Sequence, residues 1–291
     1  MSNLAKYLMA AAGNSADTPL FKDAADYSHV RFDKINIPAS TNANGIAFKP
    51  DGTVVYTMSA DDTVRQQSLS TPWDISTHGS VTASFTTNQS TNHAPLDLTF
   101  KPDGTRIWIC NQSNGNIAVY DLTTAWDIST ASYSTFFDFE ASTVYRRATV
   151  GIEFKPDGTE CFVMDNVTDS VRRFVLNTAW DITSGFSSTS PTSIALDLNS
   201  TANERQPRGL HFSDDGKKIY FVGAYRNRVY NYNLTTAYDI STSSGFSGNP
   251  ASSLYINAYE ASPFSLTFSP SGEHMYVVGG GDDGVDQFVR T

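Results

Sequence analysis

Three ionisable side chains sit near the ends of three similar short runs: Asp97 in "DLTF", Glu153 in "GIEF" and His211 in "GLHF". Each lies one or three residues before a phenylalanine, Phe100, Phe154 or Phe212. Positions two apart on a strand share a face, so the three side chains point the same way from successive copies of one unit. Two carboxylates a few ångströms apart can hydrolyse a glycosidic bond, one as acid and one as base or nucleophile. The plainer alternative is a water-filled channel holding a Glu–His pair and one further carboxylate. No GxSxG, HExxH, phosphate-binding loop or metal-spaced Cys/His cluster accompanies them. A non-enzymatic chain is therefore the leading expectation, and a glycoside or lactone hydrolase using Asp97, Glu153 and His211 is the alternative.

A second constellation is cationic. Arg146, Arg147, Arg172, Arg173, Arg205, Arg208, Arg226 and Arg228 fall in or beside loops of the third and fourth units, with Tyr145 and Tyr225 among them. Guanidinium forks bind carboxylate and phosphate in two-pronged fashion, and here they stand against a formal net charge of −10. Tyr145, Arg146, Arg147, Arg205, Arg208, Tyr225, Arg226 and Arg228 form the candidate ligand-binding set. The ligand expected is an acidic sugar, a phosphorylated lipopolysaccharide core or an acidic protein loop. The competing view is that Asp165, Asp169 and Glu204 in the same loops neutralise the arginines. The acidic balance argues against nucleic acid, and no apolar run approaches a membrane span. The glycine-rich "GGGDDG" at Gly279–Gly284 reads as a hairpin loop, with weak calcium binding as the minor alternative. No cofactor is expected.

The elements that carry these residues repeat. "FKPDGT" begins at Phe48, Phe100 and Phe154, "FSDDGK" at Phe212 and "FSPSGE" at Phe268. Pro presets φ for a tight turn, Asp bonds the local backbone and Gly takes positive φ. Before each turn runs a short strand, and after it a nearly continuous apolar one such as "IWIC" or "CFVM", suited to burial on both faces. An alternating third strand follows, then "WDIST" or a near copy at Trp73, Trp126, Trp180 and Tyr238, then a fourth strand. The aromatic should cover the blade edge, and Asp74, Asp127, Asp181 and Asp239 should form Asx turns. A sugar-stacking ring of the same aromatics, as in a lectin, is the rival reading. Ile46, Leu98, Ile152, Leu210 and Leu266 should pack between blades.

Four strands per unit and five units predict an all-β, five-bladed β-propeller. Only four units carry their own fourth strand, so "HVRFDKINI" (His29–Ile37) should complete the last blade and close the ring. The organisation expected is a leader at 1–28, helical near its start, and the propeller at 29–291. Cys110 and Cys161 should be buried free thiols.

The "FKPDGT" repeat resembles that of YVTN, TolB and lactonase-like propellers. Combined with "TTAWDIST" it resembles bacteriophage propellers, marine ones in particular, of the tail or virion. That resemblance implies a virion module assembled in the host cytoplasm. The leader would dock to other virion proteins, and the propeller would bind an anionic host glycan or protein, with no membrane insertion. A soluble lectin is the third reading. No family site residue carries over.

Overall fold

In the computed structural model the described residues are 27–32, 42–87, 94–113, 115–138, 149–187, 204–242, 250–281 and 284–290. They form five four-stranded antiparallel sheets. The innermost strands are Ala43–Phe48, Pro95–Phe100, Thr149–Phe154, Pro207–Phe212 and Pro263–Phe268. The second strands, Val54–Ser59, Arg106–Asn111, Glu160–Asp165, Lys218–Gly223 and His274–Gly279, are buried on both faces after their first residue. Each innermost strand touches that of the next blade, and blade 5 touches blade 1, so the sheets close into a five-bladed propeller.

The core is five seams. Each apolar cluster joins two consecutive blades: Tyr56, Met58 and Val64 with Leu98, Ile107 and Ile109 at the first seam, and Tyr276, Val278 and Val285 with Ile46, Val55 and Leu69 at the last. Alternate side chains of one second strand thus serve opposite seams, which is why its sequence reads as a continuous apolar run. Ile46, Leu98, Ile152, Leu210 and Leu266 all lie in seams, as their spacing indicated. Cys110 and Cys161 are free and buried together in the seam of blades 2 and 3.

The "WDIST" copies clamp the turns. The amides of Trp73, Trp126, Trp180 and Tyr238 donate to the carbonyls of Gly52, Gly104, Gly158 and Gly216 at 2.8–3.0 Å. Each aromatic ring then lies on its glycine, where a Cβ would come within 2.2–2.4 Å of it. Those glycines have φ of +67° to +74°, so the turns need glycine twice over. The four aspartates accept from the amide two residues on at 2.9–3.0 Å, the Asx turns expected. With one face of the ring held by its turn, sugar stacking on these aromatics gains no support.

Blade 5 takes its outer strand from the other end of the chain. Tyr27–Phe32 pairs antiparallel with Val285–Arg290, from Tyr27 opposite Arg290 to Phe32 opposite Val285. The strand starts two residues earlier than the sequence suggested. The continuation through Ile37, the helical leader, and Asp282 and Asp283 of the glycine-rich loop lie outside the described residues. Deleting residues 1–37 would leave Val285–Arg290 as an unpaired edge, and such edges aggregate. The truncated protein should melt at markedly lower temperature and associate in size-exclusion chromatography. An unchanged melting temperature in a monomeric truncation starting at Asn42 would contradict this mode of closure.

Candidate functional site

The innermost strands line the axis of the ring in two layers. Gly45, Asp97, Gly151, Gly209 and Ser265 form one. Here the ring is closed: the Ser265 hydroxyl of blade 5 donates to Asp97 Oδ1 of blade 2 at 2.8 Å. Glycine permits that approach, since a Cβ on Gly209 would lie 2.7 Å from Ser265 Cα. Asp97 is therefore only 5% exposed. Burial pushes its carboxyl up to about 7, against bonds from Ser265 and from the amides of Ile152 and Leu98 that favour the anion.

Ala47, Thr99, Glu153, His211 and Thr267 form the next layer, open toward the Pro-Asp-Gly turns as a cavity of about 170 Å³. At the roughly 30 Å³ that each molecule takes in liquid water, this holds about five or six waters. His211 Nδ1 lies 3.6 Å from Glu153 Oε1, with both side chains 21% exposed. Glu153 Oε2 accepts from the Phe212 amide at 2.9 Å, and the His211 ring stacks on Phe268 with centroids 5.3 Å apart. Desolvation raises the Glu153 carboxyl well above its usual range and lowers the His211 imidazole to about 4. Both therefore favour their neutral forms. Of the three channel residues expected, the fold brings Glu153 and His211 together. It sets Asp97 one layer deeper, at the floor of the same cavity, where glycines let the strands meet.

Asp214 joins the pair, lining both this cavity and a side recess bounded by Trp180 and Tyr238. Sequence reasoning missed it, although the signal was present: it replaces the turn proline found at Pro50, Pro102, Pro156 and Pro270. Its side chain is exposed at the rim. Its carboxyl is raised to about 6, first by crowding from the surrounding walls and then by Asp215; solvent access at the rim screens that effect.

The opposite, upper end carries the arginines. Tyr145, Arg146 and Arg147 lie outside the described residues. Arg205 and Arg226 flank the Tyr225 ring at 5.7 and 5.4 Å. Arg228 lies 5.2 Å over Tyr255 and donates to Ser253 Oγ at 3.1 Å. Arg208 stacks on Phe264 of blade 5 at 4.5 Å; its buried Nε has no hydrogen-bond partner among the described residues, and burial lowers its pKa. The neutralisation alternative holds for two arginines that lie within the third strand of blade 3. Arg172 pairs with Asp165 at 3.3 Å, and Arg173 pairs with Glu160. Glu204 does something else. Fully buried, it accepts from the amides of Gln206, Tyr225 and Arg226 at 2.9–3.1 Å and so shapes the loop that presents Tyr225. No ion pair reaches Arg205, Arg208 or Arg228 among the described residues.

No family model matches the chain, and no curated protein matches it. Two of the solved structures that resemble it illustrate the likeness. One is a functionally unknown protein from Desulfotomaculum acetoxidans DSM 771, 15% identical, with a TM-score of 0.46 over 85% of this chain and 65% of that one. The other is a candidate 6-phosphogluconolactonase from Bacteroides uniformis ATCC 8492, 18% identical, with a TM-score of 0.48 over 85% of this chain and 67% of that one. This chain thus spans about two thirds of the length of each. Neither likeness transfers a residue role.

The closed layer has a pH signature. A carboxyl raised in the fold stabilises fully below its unfolded value, here 3.8, and that contribution is lost as pH rises through about 7. His211 acts with opposite sign between about 4 and 6.5, so the readout is a difference. Relative to Asp97→Asn, the wild type should lose on the order of 2–4 kcal/mol between pH 4 and 7 in chemical denaturation. Parallel curves would show that Asp97 titrates as a solvated carboxyl.

Proposed function

We propose that the chain is a non-enzymatic binding module whose upper face engages an anionic ligand, displayed as part of a larger assembly. The observation that carries this is the cluster Arg205–Tyr225–Arg226 with Arg228–Tyr255 beside it. Arg205 and Arg228 there lie against aromatic faces and take part in no ion pair among the described residues. Tyr225 and Tyr255 are 49% and 52% exposed. Arginine and tyrosine are the side chains most enriched where interfaces concentrate their binding energy. An arginine stacked on a ring keeps its in-plane donors available to an incoming carboxylate, phosphate or sulfate.

The assembly we propose is a bacteriophage particle, with residues 1–28 docking to virion proteins and the arginine face turned toward a host glycan or protein. What supports this is the pairing of "FKPDGT" turns with "TTAWDIST" edges, which resembles phage propellers. A hydrolase in the channel is the second reading, favoured by the Glu153–His211 contact in an open cavity. Asp97 is committed to Ser265, so the second carboxylate would have to be Asp214 at the rim.

Replacing Arg205, Arg226 and Arg228 together with Ser should weaken binding to acidic host glycans by about tenfold or more in surface plasmon resonance. The melting temperature should barely move, because exposed arginines contribute little to folding. Wild-type binding should also weaken as salt rises. Binding indifferent to both the substitutions and the salt would refute the reading. For the channel, turnover of aryl glycosides or lactones that disappears in Glu153→Gln would establish the hydrolase; a wild type without turnover across pH would remove it.

A further inference from the structure

The turn of blade 4 departs from its siblings in sequence and charge while keeping their backbone shape. In blades 1 to 3 the turn lysine pairs with the turn aspartate: Lys49 with Asp51 at 2.7 Å, Lys101 with Asp103 at 2.7 Å and Lys155 with Asp157 at 2.9 Å. Blade 4 has Ser213 at the lysine position and Asp214 at the proline position. Its second aspartate, Asp215, does the structural work, accepting from the Lys217 amide at 2.9 Å and from Ser213 Oγ at 2.6 Å. Asp214 is thus spare as far as the turn is concerned. Its carboxylate forms no hydrogen bond or ion pair among the described residues, and it lines the cavity that Glu153 and His211 also line.

No lysine or arginine lines that cavity or its side recess. The titratable groups facing Asp214 and Glu153 are His211, Asp97 at the floor, and Tyr238 in the recess; the other linings are apolar, Pro, Ser or Thr. Burial keeps His211 neutral, so it adds no opposing charge. The walls include Phe48, Phe100 and Phe268. Asp214 makes the mouth of this cavity negative, and ring-lined walls without an internal counter-charge suit it to a cation carrying some apolar surface. A strongly hydrated metal ion has no comparable fit, and no group of three or more metal-ligating side chains occurs among the described residues.

We propose that this cavity, at the turn end of the axis, binds a compact organic ammonium ion between Asp214 and Glu153. Asp214 at the rim supplies the charge that draws the ligand in, and Glu153 on the inner strand accepts from it at depth. Thr99 and Thr267 complete the polar contacts. The cavity volume of about 170 Å³ limits the occupant to a headgroup or a small amine. The site is independent of the arginine face, which lies at the other end of the ring and selects the opposite charge.

The test uses the full chain and ethylammonium and tetramethylammonium chlorides at constant ionic strength and mildly alkaline pH, where Asp214 is ionised. Binding is followed by calorimetry and by the amide resonance of Phe212, the donor to Glu153. Saturable binding by the wild type is expected. It should weaken about tenfold or more in Asp214→Pro, which restores the residue of the other four turns. Should Asp214→Pro fail to fold, Asp214→Asn replaces it with the same expectation. Neutral tert-butanol should not compete. Absence of saturable binding, unchanged affinity in the Asp214 variant, or equal binding of a neutral sugar would each overturn the proposal. None of these results depends on Arg205, Arg226 or Arg228.

Discussion

Every described seam rests on one aromatic contact made between neighbouring blades. A second-strand aromatic of one blade packs on the phenylalanine that ends the inner strand of the next. The pairs are Tyr276 on Phe48, Tyr56 on Phe100, Trp108 on Phe154, Phe162 on Phe212 and Tyr220 on Phe268, with centroids 4.2–4.7 Å apart. In four of these seams the "WDIST" aromatic lies on that phenylalanine at 5.1–5.4 Å. Tyr56 adds a bond from its hydroxyl to the Trp126 carbonyl at 2.7 Å, and Tyr276 makes the same bond to the Trp73 carbonyl. The contact joins three elements that are remote in sequence, so blade spacing, turn conformation and funnel width are set together. A propeller blade has little to bury alone; the aromatic stack is where it meets its neighbour.

The ring was readable because its parts obey local rules. Turn chemistry, strand alternation and the count of outer strands are each visible within a few residues, and together they gave blade number and closure. The channel was only half readable. Alternation assigns Asp97 and Glu153 to the same side of their strands, but not to open or closed layers. Depth depended on Gly45, Gly151 and Gly209 letting the strands converge, a property of the whole circle. Asp214 was missed because the turn motif was read for its shape, and a turn tolerates Asp as well as Pro at that place. The question of the arginines turned on Glu204, whose carboxylate binds three amides; charge content alone cannot say whether an acid serves a guanidinium or a backbone.

The two ends of the ring are built on different principles. The turn end is repetitive, and what distinguishes it is Asp214 in blade 4, set where the other four turns carry proline. The loop end has no shared motif, so its side chains vary freely between blades, and there arginine and tyrosine gather on blade 4. A repeat architecture separates these two modes of change. Where the repeat is strict, one substitution breaks the symmetry without disturbing a strand. Where it is loose, loop sequences can diverge without disturbing a strand.

The strand exchange that closes blade 5 also orders events in time. Tyr27–Phe32 leaves the ribosome far ahead of Val285–Arg290, its partner. At 5–20 residues per second the interval is on the order of 10–50 s. During that wait the early strand has no native place to go, while blades 1 to 4 have complete sets of strands and can assemble in sequence. Blade 5 therefore acts as a check on translation: a nascent chain stopped anywhere short of Val285–Arg290 cannot become a closed ring.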